Sequence, residues 1–144
     1  MKRQDKYPNT KTFRYYNANP KNKLTTDCVI RAVCTALNQD YNQTVMEMAE
    51  MQCKTGYDDG DVKLIDKYLA SKGWVKRKQP RKSDGKKYTG QEFCEEIQEY
   101  PFTYSDRIVA NIGGHHIVAI VDGQIHDVWN SSYKCIGNYW ECED

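Results

Sequence analysis

The sequence predicts an α+β fold, with N-terminal helices packed on a C-terminal antiparallel β-sheet. Two patterns carry this expectation. Between residues 28 and 99, apolar residues recur every three or four positions, the period of an amphipathic helix. After Pro101 the pattern becomes strand-like, in the runs RIVANI, HHIVAIV, QIHDVW and KCIGNYW, separated by Gly113-Gly114, Asp122-Gly123 and Asn130-Ser131-Ser132. Helices first and a meander afterwards differ from the strand-helix alternation of a parallel sheet. The 144 residues fit one domain spanning 1–144.

Residues 1–26 hold Pro8, Pro20 and many Asn, Lys and Thr, and read as an irregular arm with a short strand at TFRYY. Thr25, Thr26 or Asp27 can cap the first helix, Cys28 to Leu37, whose apolar face is Val29, Val33 and Leu37 with Ala32 and Ala36 beside them. A second helix, from about Asn42 to Cys53, carries Val45, Met48, Ala49 and Met51, and its methionines suit a core. A third follows the acidic turn YDDGD, with Val62, Ile65 and Leu69 inward and Gly73 as its stop. Segment 76–88 has no apolar periodicity and holds seven Lys or Arg between Lys76 and Lys87, so it reads as an exposed basic loop. A fourth helix, Gln91 to Glu99, sets Phe93, Cys94 and Ile97 on one side, and Asp122-Gly123 is a hairpin signal between two of the strands.

Composition narrows the function classes. Hydrophobic residues at 39% against charged residues at 28% describe a polar globular chain rather than a disordered one. A net charge of +1 gives no global attraction to nucleic acid or anionic lipid, so nucleic acid is not expected as a partner. The basic loop Lys76–Lys87 remains a place where an acidic partner could dock, and it lacks the aromatic residues of a single-strand stacking platform. No run of 18 apolar residues exists and the N-terminus lacks the apolar core of a secretory signal, so no membrane partner and a cytoplasmic location are expected. In that reducing compartment the six cysteines are expected as thiols. With no CxxC and no paired zinc-finger spacing to a histidine, neither a metal centre nor another cofactor is expected. A weaker reading would set a metal among His116, His126 and a thiol.

Cys28 opens the first helix, where the helix dipole favours a thiolate. That effect, about 0.3–2 kcal/mol, brings a thiol from roughly 8.5 to no lower than about 7 at 1.36 kcal/mol per pKa unit. A strong thiolate needs a contacting imidazolium, and all three histidines, His115, His116 and His126, lie in the strand half. A carboxylate or amide would then fix the imidazole; Asp127 lies at the end of the strand after the Asp122-Gly123 turn, and Asn130 is the alternative.

Cysteine at a helix start, histidine opening a strand and Asp or Asn on the next strand resembles the papain-like cysteine peptidases, in that chain order. DCVIRAV and GHHIVAIVDGQIHDVWNSS most resemble small peptidase-like proteins of bacteriophages and Gram-positive bacteria, and the bacteriocin-processing cysteine peptidases. The resemblance implies a papain-like fold with Cys28 as nucleophile. It favours His116, which precedes IVAIV, over the alternate His115, and Asp127 as orienter over Asn130. The family's oxyanion-hole Gln, six residues before the cysteine, is Asn22 here, and Asn19 is the second candidate; the Trp that follows the nucleophile in papain is lacking. The implied activity is a thiol hydrolase cleaving amide or isopeptide bonds of a protein or peptide substrate, or performing deamidation or acyl transfer, in a bacterial or phage-infected host cell. The competing expectation is a non-enzymatic phage protein on the same fold that inhibits or binds a host protein or nucleic acid.

Overall fold

The computed structural model describes residues 1–143, which form five helices and one six-stranded sheet. The chain order is α1 (Arg3–Lys6), β1 (Phe13–Tyr15), α2 (Cys28–Leu37), α3 (Tyr41–Thr55), α4 (Val62–Ser71), β2 (Trp74–Arg77), α5 (Gly90–Glu99), β3 (Arg107–Ile112), β4 (His116–Val121), β5 (Gln124–Asp127) and β6 (Ile136–Cys142). In space the strands run β1-β5-β4-β3-β6-β2. Every pairing is antiparallel except β1 with β5. The α+β expectation therefore holds, with helices concentrated in the first two thirds and four strands in the last.

Local chemistry sets the helix limits. The Asp40 side chain accepts from the Gln43 N–H to start α3, which ends at Gly56 with φ 78°. Asp61 starts α4 by accepting from the Lys63 N–H. Thr89 and Glu92 form a reciprocal capping box at the head of α5. α2 is different. Asp27 occupies its N-cap position, yet its carboxylate accepts no bond from a first-turn N–H of the helix.

Both faces of the sheet are covered. One holds α2, α3 and α4, with Val33, Met48, Leu64 and Leu69 against Val109, Ala119 and Trp140. The other holds α5, with Phe93 and Ile97 against Ile108, Ile120 and Ile136, and the edge strand β1 turns Phe13 into the same cluster. Ile117 and Ala119 of β4 face the first cluster while Val118 and Ile120 face the second, which explains the unbroken apolar run in this strand. Small residues on α2, the buried Ala32 and Ala36, let its axis lie close over β4.

Two segments carry more structure than their composition suggests. The N-terminal arm contributes α1 and the expected strand, and β1 pairs Phe13 with Ile125 while burying Phe13 completely. A partner 112 positions downstream supplies an order that no local pattern signals. In the basic segment, Lys76 and Arg77 belong to β2, paired with Trp140 and Tyr139 of β6. The charges there face carboxylates of the same chain: Lys76 with Asp66, Arg77 with Glu141 and Lys82 with Glu92.

The β4–β5 hairpin turns at Asp122 and Gly123, both with positive φ, 51° and 74°. A Cβ on Gly123 would sit 3.1 Å from the Cys94 carbonyl oxygen of α5. Gly123→Ala is expected to lower stability by about 1–3 kcal/mol, measured by urea unfolding. Gly85→Ala, also at positive φ but with open space around the added carbon, should cost less. Equal losses would mean that the turn is not wedged against α5.

Candidate active site

α2 crosses β4 so that its first residue meets the first residue of the strand. The backbone turns into β4 through Gly113 and Gly114, with φ of 65° and 86°, a path that side-chain-bearing residues rarely take. Cys28 and His116 arrive within hydrogen-bond contact, and the backbone of Ile117 also bonds the sulfur. His116 Nε2 lies 2.6 Å from Asp127 Oδ2 at the end of β5. That leaves Nδ1 as the ring nitrogen for the thiol. The Trp129 ring covers the imidazole, 5.0 Å between centroids at 40°.

Electrostatics follow from these contacts. Burial pushes the Cys28 thiol up, but the hydrogen bonds from His116 and Ile117, with the charges of His116 and Arg31, outweigh it and hold the thiol below its ordinary value. Burial likewise pulls His116 down, but its bonds to Asp127 and Cys28 raise it to about 9. Both directions favour a thiolate–imidazolium pair at neutral pH.

The carboxylate behind the pair is itself tightly held. Asp127 is 2% exposed. Its Oδ1 accepts from Arg31 Nη1 at 2.6 Å and from the Val128 N–H at 2.7 Å, leaving Oδ2 for His116. Arg31 is buried too, one turn after Cys28 on α2, and its Nε donates to Asp27 Oδ1 at 2.8 Å. Asp27 Oδ2 accepts from the Tyr41 hydroxyl at 2.6 Å and from Asn19 Nδ2 at 3.1 Å. Burial raises the Asp27 carboxyl, and the bonds from Tyr41, Arg31 and Asn19 bring it net below the ordinary range. A continuous chain of charge-assisted bonds thus runs Asp27–Arg31–Asp127–His116–Cys28.

Sequence reasoning did not find Arg31 or Tyr41, and it saw Asp27 only as a cap. The one available signal was the i,i+4 spacing of Asp27 and Arg31 on a helix that is otherwise apolar. Because Asp27 turns away from the helix, and the first intrahelical bond runs from the Arg31 N–H to the Asp27 carbonyl, the N–H groups of Cys28, Val29 and Ile30 have no partner within α2.

The other candidates occupy different places. The Asn19 amide is committed to Asp27, and Asn22 Oδ1 accepts from Asn17 Nδ2 at 3.4 Å; neither lines the clefts beside Cys28. His115 is exposed on the wall of the larger cleft. Asn130 Oδ1 accepts from the Ser132 N–H at 3.0 Å and so supports the loop after β5. His126 bonds the Gln124 carbonyl in a separate pocket with Cys34. Among the described residues, no group of three or more His, Cys, Asp or Glu is placed to hold a metal ion.

Cys28 and Thr26 sit between two clefts. The larger, about 590 Å³, has apolar walls from Val29, Met48, Val62, Ile65 and Ile117. The smaller, about 380 Å³, is bounded by Arg3, Leu24, Thr25, His116, Val128 and Trp129. No family model, curated protein or solved structure matches this chain.

Asp127→Ala would leave the Arg31 guanidinium buried without one of its two carboxylates, and is expected to cost about 3–5 kcal/mol of stability. Asp127→Ala with Arg31→Met should recover part of that loss in the same urea measurement; no recovery would contradict the pairing. His116 has a folded pKa near 9, above its unfolded value of about 6.5. The stability from its charge is therefore fully present below about pH 6.5 and lost as pH rises through about 9. The deficit of Asp127→Ala should narrow over that interval.

Proposed function

We propose that this protein is a papain-like cysteine hydrolase that cleaves amide or isopeptide bonds in a protein or peptide substrate. The observation that carries the proposal is the Cys28–His116–Asp127 arrangement at the junction of two clefts, with the thiol lowered and the imidazole raised by their mutual contact. The chain order of the three residues and the quoted motifs add the family resemblance.

The Cys28 thiolate attacks the substrate carbonyl carbon, and the carbonyl electron pair moves to oxygen. Unpaired first-turn amides of α2, beginning with the Cys28 N–H, stabilise that oxyanion. The C–N bond breaks as His116 Nδ1–H gives its proton to the leaving nitrogen, and a thioester to Cys28 remains. His116 then takes a proton from water, the hydroxide adds to the thioester, and the C–S bond breaks to restore the thiolate. Throughout, Asp127 holds the ring through Nε2 and stabilises its charged form. An amine in place of water gives acyl transfer, and a side-chain carboxamide as substrate gives deamidation. Cytoplasmic action in a bacterial or phage-infected cell accords with the resemblance.

The rival reading, a phage-encoded binding protein that uses its basic loop, draws less from the structure. Three of the seven cationic side chains between Lys76 and Lys87 already face carboxylates of their own chain, which weakens the field offered to an acidic partner.

Incubation with a diverse peptide mixture, read by mass spectrometry, tests the proposal. Wild type should produce cleaved or deamidated peptides, and Cys28→Ala and His116→Ala should each reduce their yield by at least about a thousandfold. Products that persist in Cys28→Ala, or none from wild type, would contradict it.

A further inference from the structure

We infer that the smaller cleft receives the leaving-group side of the substrate and is built for a leaving group bearing a carboxylate. This rests on the hydrolase reading above. The orientation follows from proton delivery. His116 must protonate the departing nitrogen, so the leaving group lies where the imidazole is accessible. His116 lines the smaller cleft and does not line the larger one. The acyl part then occupies the larger, largely apolar cleft.

Charge differs between the two sides of Cys28. The larger cleft is bordered by two carboxylates, Asp27 and Asp59. Neither Asp nor Glu lines the smaller one, which has Arg3 and Arg31. The Arg31 guanidinium is already held by Asp27 and Asp127. Arg3 is not: among the described residues it forms no ion pair. Its Nε donates to the Val128 carbonyl at 2.7 Å, which fixes the guanidinium beside the residue that follows Asp127 and leaves both Nη groups for a ligand. Lys134 adds a second cation near this wall, with Nζ 5.9 Å from the Trp129 ring centroid. A guanidinium with two open nitrogens is suited to a carboxylate, held in bidentate fashion. On a peptide leaving group that carboxylate is either the C-terminus of a short tail or an Asp or Glu side chain.

Three alkylating reagents separate these cases without a known substrate: bromoacetyl-glycine, bromoacetyl-glycinamide and the α-amide of bromoacetyl-aspartic acid, whose side-chain carboxylate is free. In each, the Cys28 sulfur bonds the bromoacetyl carbon and bromide departs. Rates at Cys28 are mapped by mass spectrometry and normalised to the exposed Cys53 of the same molecule. At least one acid should alkylate Cys28 about tenfold faster than the neutral amide, the effect of one charge-assisted contact. Arg3→Gln should remove the preference, and Arg3→Lys, which keeps the charge but loses the fork and the Val128 anchor, should keep only part of it. A preference for the glycine reagent identifies a terminal carboxylate, and one for the aspartyl reagent a side-chain carboxylate. Equal rates, or a preference that survives Arg3→Gln because the His116 imidazolium alone supplies it, would overturn the assignment and leave the hydrolase standing. If Cys28 reacts no faster than Cys53 even with the neutral amide, the hydrolase reading fails and this inference fails with it.

Discussion

The site depends on one buried carboxylate. Asp127 joins the sheet to α2, because one of its oxygens is held by Arg31 of the helix and the other faces His116 of the neighbouring strand. A buried carboxylate with a single partner would be costly, since its remaining lone pairs would lose water without replacement. Here the Arg31 guanidinium and the Val128 N–H complete its coordination. The same bonds that make the burial tolerable also set the position of the imidazole, so the stability of this junction and the chemistry proposed for Cys28 cannot be separated.

Arg31 also explains why Asp27 leaves the helix end uncapped. A carboxylate at that position would ordinarily bond a first-turn N–H of α2. It instead takes Arg31, Tyr41 and Asn19 as partners. A cap worth about 1 kcal/mol is given up, and the first-turn amides around Cys28 keep no partner within α2. Loss of a local rule at the position where the fold needs a reactive group is the pattern expected of a functional site. Asn19 and Tyr41 then act from a distance, as supports that keep Asp27 turned toward Arg31.

Much of this was legible in the sequence. The limits of α2 and the three turns between the last four strands follow from local signals, helical periodicity and Gly and Asp-Gly punctuation, while the choice of Cys28, His116 and Asp127 is what the family resemblance implied. Contacts made across long separations left no such trace. Phe13 is a core residue because β5 lies beside it, and Arg31 went unnoticed because its second partner is 96 positions away. Lys76 and Arg77 read as loop because charge dominates their segment, although only one face of an edge strand need be apolar. Asn19 carries an amide near the thiol in sequence but spends it on Asp27, a choice that depends on where Tyr41 and Arg31 fall in space.

The central claim is that Cys28 and His116 share their charge as an ion pair sustained by Asp127. Nitrogen-15 spectra of His116 in the wild-type protein at pH 7.5 test it directly. A doubly protonated imidazole that titrates only near pH 9, and that returns toward an ordinary histidine in Cys28→Ser, is the result the geometry predicts. A neutral ring at pH 7.5, with a titration near about 6.5, would show that the pair does not form.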